Sequence, residues 1–215
     1  MSGRTLDEAA APSAKPQHPR PRRSTLGEAP ARPAKSWSWR LVGLLVGLVL
    51  AALGASAQTD AAPVIVVDTT KGIFVFETYP AEAPKTVAHI VALVKRGFYD
   101  GQRIHRAVPG FVIQWGDPRS TDLAQESEWG LGPAASSGEP LGLSEINRKH
   151  LHTAGAVAMA HPGLPSQADS QIYVTLANRP DLNGKYTVFG QVIEGADVPS
   201  KLERGDVIRR VYLRE

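Results

Sequence analysis

Beyond Pro63 the apolar residues of this chain come in short runs, many of them β-branched. Each run stops at glycine, proline or a cluster of polar residues. Runs this short read as strands, and the punctuation between them supplies turns. Residues 62–68 (APVIVVD) and 73–78 (IFVFET) read as a hairpin about the turn 69–72. Further strands are expected at 103–108, 111–115, 155–160, 171–176, 185–193 and 207–213. One stretch breaks this rhythm. From Pro84 onward Val87, Ile90, Val91 and Val94 recur at helical spacing, Lys95 and Arg96 fill the last turn, and Gly97 ends it. That pattern predicts a helix whose apolar face lies on the sheet. A second, short helix is expected over 197–203 with Asp197 near its cap. Many short strands with one or two helices suggest a barrel or a sandwich.

The first 60 residues are different in kind. Residues 1–40 hold eight Lys/Arg against three Asp/Glu, about +5, whereas the whole chain is +3. The remainder therefore carries about −2, and the basic character belongs to the tail, which argues against a nucleic-acid-binding domain. The tail is rich in Pro, Ala and Arg and reads as disordered. Residues 41–57 (LVGLLVGLVLAALGASA) follow Arg40 and end in Ala55-Ser56-Ala57. A basic flank, an apolar run and a small-residue end read as a secretory signal segment cleaved near Ala57 or as a retained membrane anchor. Either way the positive flank stays inside and residues 62–215 are expected outside the cytoplasm, periplasmic or secreted. The chain has no cysteine, which excludes a disulfide framework, a thiol nucleophile and a Cys-based zinc site.

Residues 103–117 (RIHRAVPGFVIQWGD) carry the chemistry. Arg106 lies in an apolar run, a Pro109-Gly110 turn follows, and a second run carries Phe111, Val112 and Gln114. Alternation groups Ile104, Arg106 and Val108 on one face of the first strand and separates Phe111, Ile113 and Trp115 from Val112 and Gln114 in the second. It does not say which of those two sets joins Arg106. A cation beside an aromatic, an amide and aliphatics grips a peptide with an apolar residue, and no nucleophile accompanies it. The loop expected over 117–151 is long and non-periodic, hence functional or flexible. Residues 155–160 (GAVAMA) are small, which suits close approach of a ligand or another backbone.

The segments PKTVAHIVALVKRGFYDG, RIHRAVPGFVIQWGDP, GAVAMA, SQIYVTL and LNGKYTVFGQVIEG, in this order and spacing, resemble the cyclophilins, which are peptidyl-prolyl cis-trans isomerases. The resemblance runs from Pro63 to the C-terminus. It implies a mainly β fold, a closed eight-stranded antiparallel barrel with two helices, over residues 62–215. It also implies a cofactor-free monomer that acts on proline-containing polypeptides. By the same resemblance the active-site arginine falls on Arg106, the pocket phenylalanine on Phe111, its aliphatic neighbour on Val112 and the glutamine on Gln114. Ala160 lines the pocket beside His161, Gln171 is a second glutamine, Tyr173 the second aromatic, Leu182 the pocket floor and Tyr186 a ring at the rim.

Several positions depart from the family's commoner residues. His161 stands where asparagine is frequent, Tyr173 for phenylalanine, Tyr186 for histidine, Asp181 for a rim tryptophan and Trp115 for glycine. These departures leave open a second class of function, a proline-peptide binding module or holdase with little isomerase activity.

The chemistry implied needs no covalent step. Rotation about a peptide bond meets a barrier of ~18–20 kcal/mol from amide resonance, and uncatalysed X-Pro exchange takes about tens to hundreds of seconds. A guanidinium aimed at the prolyl nitrogen favours the twisted state, in which that nitrogen gains a lone pair. Without the resemblance the same residues read plainly: an arginine in a strand is solvated or ion-paired, and Phe111 belongs to a core. His105, His150, His152 and His161 raise the idea of a metal-dependent hydrolase. No HExxH motif accompanies them, a zinc site needs convergent ligands, and structural or surface roles are expected instead. Asp117, Glu126, Glu128 and Glu139 read as solvated carboxylates.

Overall fold

The computed structural model describes residues 61–215. The expected basic tail (1–40) and signal or anchor segment (41–57) lie outside them. Among the described residues no helix is long and apolar enough to cross a membrane.

Eight strands form one antiparallel sheet: β1 (Val64–Thr69), β2 (Gly72–Thr78), β3 (Arg106–Val108), β4 (Val112–Trp115), β5 (Ala156–Met159), β6 (Ile172–Thr175), β7 (Val188–Glu194) and β8 (Ile208–Leu213). Their order across the sheet is β3-β4-β6-β5-β7-β2-β1-β8. Each expected strand is present, most of them trimmed at the ends. The hairpin β1–β2 closes at the pair Thr69 and Gly72, where the Thr69 hydroxyl donates to the Gly72 carbonyl at 2.7 Å.

The expected closed barrel is not what forms. The sheet curls into a half-barrel, and its edge strands β3 and β8 share no ladder. A single bridge, Arg103 to Val207, spans the seam, flanked by bonds from Ile104 N–H to the Asp206 carbonyl and from Ile208 N–H to the Gln102 carbonyl. The first strand of the arginine segment accordingly starts at Arg106 and not at Arg103. The physical reason is local. The Arg103 N–H donates to the Ser120 hydroxyl at 3.0 Å, and that hydroxyl donates to the Asp117 carbonyl. That donor faces the β4 side, so its bond to Ser120 keeps the β3–β4 ladder from reaching back to Arg103. The seam leaves the short edge strand β3 open where Arg106 projects.

The single α-helix among the described residues, α1 (Pro84–Lys95), has proline in its first turn and buries Val87, Ile90, Leu93 and Val94. Its N-cap, Ala83, offers no side-chain oxygen. The cap comes from the distant loop, where the two Glu145 carboxylate oxygens accept from the Lys85 and Thr86 N–H groups at 3.0 and 2.7 Å. That satisfies two of the donors a helix start leaves unpaired and places a negative charge at the positive end of the helix dipole. The second helix is a short 3-10 turn, Pro199–Lys201, capped by Val198 and not by Asp197.

Two apolar clusters lie on the two faces of the sheet. The larger holds Phe74, Phe76, Ile113, Val157, Met159, Ile172, Val174 and Phe189 with the buried side of α1. Trp115 belongs to it, 1 % exposed and edge-on to Phe74 at 6.1 Å. Its bulk fills core volume and does not enter the site. The smaller cluster, Val112, Ala156, Ala158, Tyr173 and Val188, lies on the opposite face and supports Phe111, Ala160, Leu182 and Tyr186. Just past β4, Gly116 (φ +110°) runs so close to β6 that a Cβ there would stand 2.2 Å from the Ser170 carbonyl oxygen. Only glycine fits.

Candidate active site

Strand register builds the site. Arg106 pairs with Gln114, Gln114 with Tyr173, Tyr173 with Ala158 and Ala158 with Val188. Residues directly opposite in neighbouring strands share a face of the sheet. This row therefore puts the arginine, the amide and the tyrosine on one surface, and Val112, two residues from Gln114, shares it. Alternation along the chain left open which set joins Arg106, and register settles it. Phe111 precedes β4 in the turn, with its N–H on the Val108 carbonyl and its own carbonyl accepting from Leu176 N–H.

Over this row lies a cavity of about 170 Å³ lined by Arg106, Phe111, Val112, Gln114, Ala160, His161, Tyr173, Leu182 and Tyr186. Nine of the ten expected site residues meet there. The tenth, Gln171, stands in the wall of an adjoining cavity of about 510 Å³ that shares Gln114, Ala160 and His161. The remaining wall of this second space is mostly contributed by the loop expected over 117–151, through Gly130, Gly132, Pro133, Ser136, Gly138 and Pro140.

The polar groups form a chain. The Arg106 guanidinium reaches Gln114 Oε1 through one long bond of 3.4 Å, Gln114 Nε2 donates to Gln171 Oε1 at 2.7 Å, and Gln171 Nε2 donates to the Ala135 carbonyl at 2.7 Å. The Arg106 guanidinium carbon also stands 5.3 Å from the Phe111 ring centre. The side chain is thus aimed along the cavity with most of its donors unused. Tyr186 meets Tyr173 edge-on at 5.7 Å and stacks on His161 at 4.6 Å. The His161 Nε2 is 3.0 Å from the Lys185 carbonyl, so this residue braces the rim.

The extra hydroxyl of Tyr173 points away from the cavity. It donates to His152 Nε2 at 2.9 Å, while His152 Nδ1 and the His152 N–H both meet Asn183 Oδ1. An amide oxygen only accepts, so Nδ1 carries the proton and Nε2 is the acceptor. Burial holds the His152 imidazole below its ordinary pKa, against the opposing bond to Asn183, and raises that of the Tyr173 phenol. Both stay neutral, and the face toward the cavity remains apolar.

The other histidines part company. His150 stacks on Tyr79 at 3.6 Å. His105 is buried against Gly130, and desolvation takes it down to about 4 despite the Asp117 charge nearby. Among the described residues no three His, Cys, Asp or Glu side chains gather to hold a metal ion.

Sequence reasoning missed Asn183 and Arg179, and gave His152 a structural role without its partner. His152 and Asn183 work behind the pocket. Arg179 stacks its guanidinium carbon 3.8 Å over the Phe111 ring and forms a two-pronged pair with Asp181 at 2.8 and 2.7 Å. The local signal was Arg-Pro-Asp, opposite charges two apart across a proline. Asp117 needs a correction: it is not solvated but fully buried, 0 % exposed, and paired with Arg119 at 3.1 Å. Its Oδ2 also accepts the Gly130 N–H. The local signal was again there, Asp-Pro-Arg with opposite charges two apart across a proline, but burial of the pair comes only when the loop folds back and Gly130 N–H meets the carboxylate.

A curled antiparallel half-barrel of eight strands defines a cyclophilin fold, and here it carries an arginine, a glutamine and aromatics around an apolar cavity. Residues 64–213 match the family model of the cyclophilin type peptidyl-prolyl cis-trans isomerases. The chain belongs to that family and is a peptidyl-prolyl cis-trans isomerase. It is 39 % identical over 136 residues to peptidyl-prolyl cis-trans isomerase B of Bacillus subtilis, covering 63 % of this chain and 87 % of that one. It is 42 % identical over 132 residues to peptidyl-prolyl cis-trans isomerase-like 1 of Gibberella zeae, covering 61 % and 75 %. The crystal structure of a Cryptosporidium parvum cyclophilin superposes with a TM-score of 0.61 at 25 % identity, over 72 % of this chain and 98 % of that one.

Proposed function

We propose that this domain accelerates X-Pro exchange in exported polypeptides as they fold, with Arg106 as the group that lowers the barrier. The observation that carries the reading is the state of Arg106: it stands at the edge of an apolar cavity, exposed at the seam, with one long bond to Gln114. The prolyl ring sits against Phe111, Leu182 and Tyr173. Gln114, steadied by Gln171, holds the substrate backbone on one side of the bond. As the bond twists, the prolyl nitrogen becomes pyramidal and acquires a lone pair. The unused guanidinium donors meet it there and stabilise the twisted state more than either planar isomer. Water is kept from the ring by the same apolar walls. The proline-binding-module reading drew on Tyr173, Asp181 and Trp115. Tyr173 and Trp115 leave the cavity apolar and open, and Asp181 is held by Arg179.

Residues 41–57, with the basic flank before them, support a place outside the cytoplasm, periplasmic or secreted, with or without that segment retained as an anchor. The partners are proline-containing polypeptides, bound by a monomer without a cofactor or nucleic acid.

The deciding experiment is exchange NMR on an X-Pro peptide with the full-length chain and its Arg106→Ala variant. Acceleration by the wild type that collapses in the variant is expected. Equal acceleration by both would remove Arg106 from the mechanism. A C-terminal reporter active only outside the cytoplasm tests the location, and an inactive reporter would sink the export reading.

A further inference from the structure

Phe111 is the pocket wall with the least support from the sheet. It belongs to a turn between the edge strand β3 and β4, and its ring is half-buried. A turn aromatic at a rim rotates among its rotamers unless something covers its faces. Here the cover is the guanidinium of Arg179, whose carbon is 3.8 Å from the ring centre, closer than that of Arg106 at 5.3 Å. Arg179 is itself fixed at every end. Its N–H donates to the His152 carbonyl at 2.7 Å, and its carbonyl accepts from Leu182 N–H. Its Nε and Nη2 are held by the two Asp181 oxygens. The turn Pro180–Leu182 therefore sets two walls of the cavity, Leu182 directly and Phe111 through Arg179.

We propose that Arg179, clamped by Asp181, is a positioning residue for Phe111 and so determines how tightly the site holds the proline ring. Asp181 has a second effect in this arrangement: it neutralises the guanidinium over the ring, so that the charge directed at the substrate is that of Arg106. The inference rests on the proline-pocket reading given above. It also assigns a role to the charged rim that stands where the family commonly places an aromatic.

The test uses the full-length chain and one X-Pro peptide, with Kd from chemical-shift titration and KM and kcat from exchange NMR. A cation stacked on an aromatic at an exposed site is worth ~0.5–1 kcal/mol. Arg179→Ala is therefore expected to raise Kd and KM about two- to fivefold, at 1.4 kcal/mol per decade. kcat should change much less, because Arg106 is untouched, and the Phe111 ring resonances should move. Arg179→Gln, which keeps aliphatic cover and a bond to Asp181, guards against a folding defect and should fall between the two. Arg179→Lys keeps the charge but not the planar two-pronged pair and should not restore the wild-type Kd. An unchanged Kd in Arg179→Ala, or full restoration by lysine, overturns the proposal. The Kd comparison decides it even if the wild type fails to accelerate exchange, an outcome that would instead overturn the isomerase mechanism.

Discussion

Arg106 and Arg119 are near neighbours in the chain, and the fold treats them oppositely. Arg119 stands in the loop after β4 with every arm engaged: its guanidinium reaches both oxygens of Asp117, the Glu128 carboxylate, and the carbonyls of Glu128 and Leu131. The same hub draws in Trp129, whose indole N–H donates to the carbonyls of Arg119 and Asp122, and Arg204 lies over the Trp129 ring at 5.1 Å. Arg106 has one bond, long, to a neutral amide. The difference teaches what separates a structural cation from a functional one. A guanidinium with all its donors satisfied holds a loop, and one with donors left over has something to offer a transition state.

The comparison can be broken at either end. The largest effect is expected at the structural end. Asp117→Ala removes the fully buried partner of Arg119, leaves that guanidinium only the exposed Glu128 carboxylate as counter-charge and strips the Gly130 N–H of its acceptor. Breaking such a pair costs ~3–5 kcal/mol, read as a fall in the urea midpoint. Near-wild-type stability would show that the hub does not hold the loop. Arg106→Ala is expected to cost ~10²–10³ in exchange rate while shifting stability by less than about 0.5 kcal/mol, as for other exposed positions. A matching loss of stability would make Arg106 a structural residue like Arg119.

Acid sharpens the contrast. Burial raises the pKa of Asp169, but bonds from His89, Ser137 and the Glu139 N–H outweigh it and hold the carboxyl down at about 2. An unfolded aspartate titrates near 3.9. The unfolded chain thus binds the proton first as pH falls, and stability present above about pH 4 drains away toward pH 2. The contribution is on the order of 2 kcal/mol. Asp169→Asn is expected to flatten the denaturant midpoint between pH 5 and 2.5, and an unchanged slope would remove Asp169 as the cause. The smallest effect belongs to Tyr173→Phe. It removes one buried bond to His152, about 0.5–1.5 kcal/mol of stability, and leaves exchange at neutral pH little changed because the hydroxyl faces away from the cavity. A large activity loss would mean that the hydroxyl reaches the substrate.

Local pattern carried much of this cyclophilin. β-branched runs closed by Gly and Pro mark the strands, and the Val87–Val94 spacing under Pro84 marks the helix. The motif from Arg106 to Gln114 groups four of the nine residues that line the cavity, because side chains about one turn are close in sequence as well as in space; the other five, from Ala160 to Tyr186, came only from the resemblance to the cyclophilins. What only the tertiary structure decided depends on partners distant in the chain. Register between β3 and β4 and onward to β6 determines that Gln114 and Tyr173, and not Ile113, stand beside Arg106. Alternation orders faces within a strand but cannot phase one strand against another. The single bridge between Arg103 and Val207 leaves the sheet curled without closing, and Glu145 caps a helix some sixty residues earlier in the chain. The fates of the charges were decided last. Whether a guanidinium is left free, as in Arg106, stacked, as in Arg179, or fully bound, as in Arg119, depends on which acceptors the fold brings within about 3 Å of it, and composition and spacing hold no record of that distance.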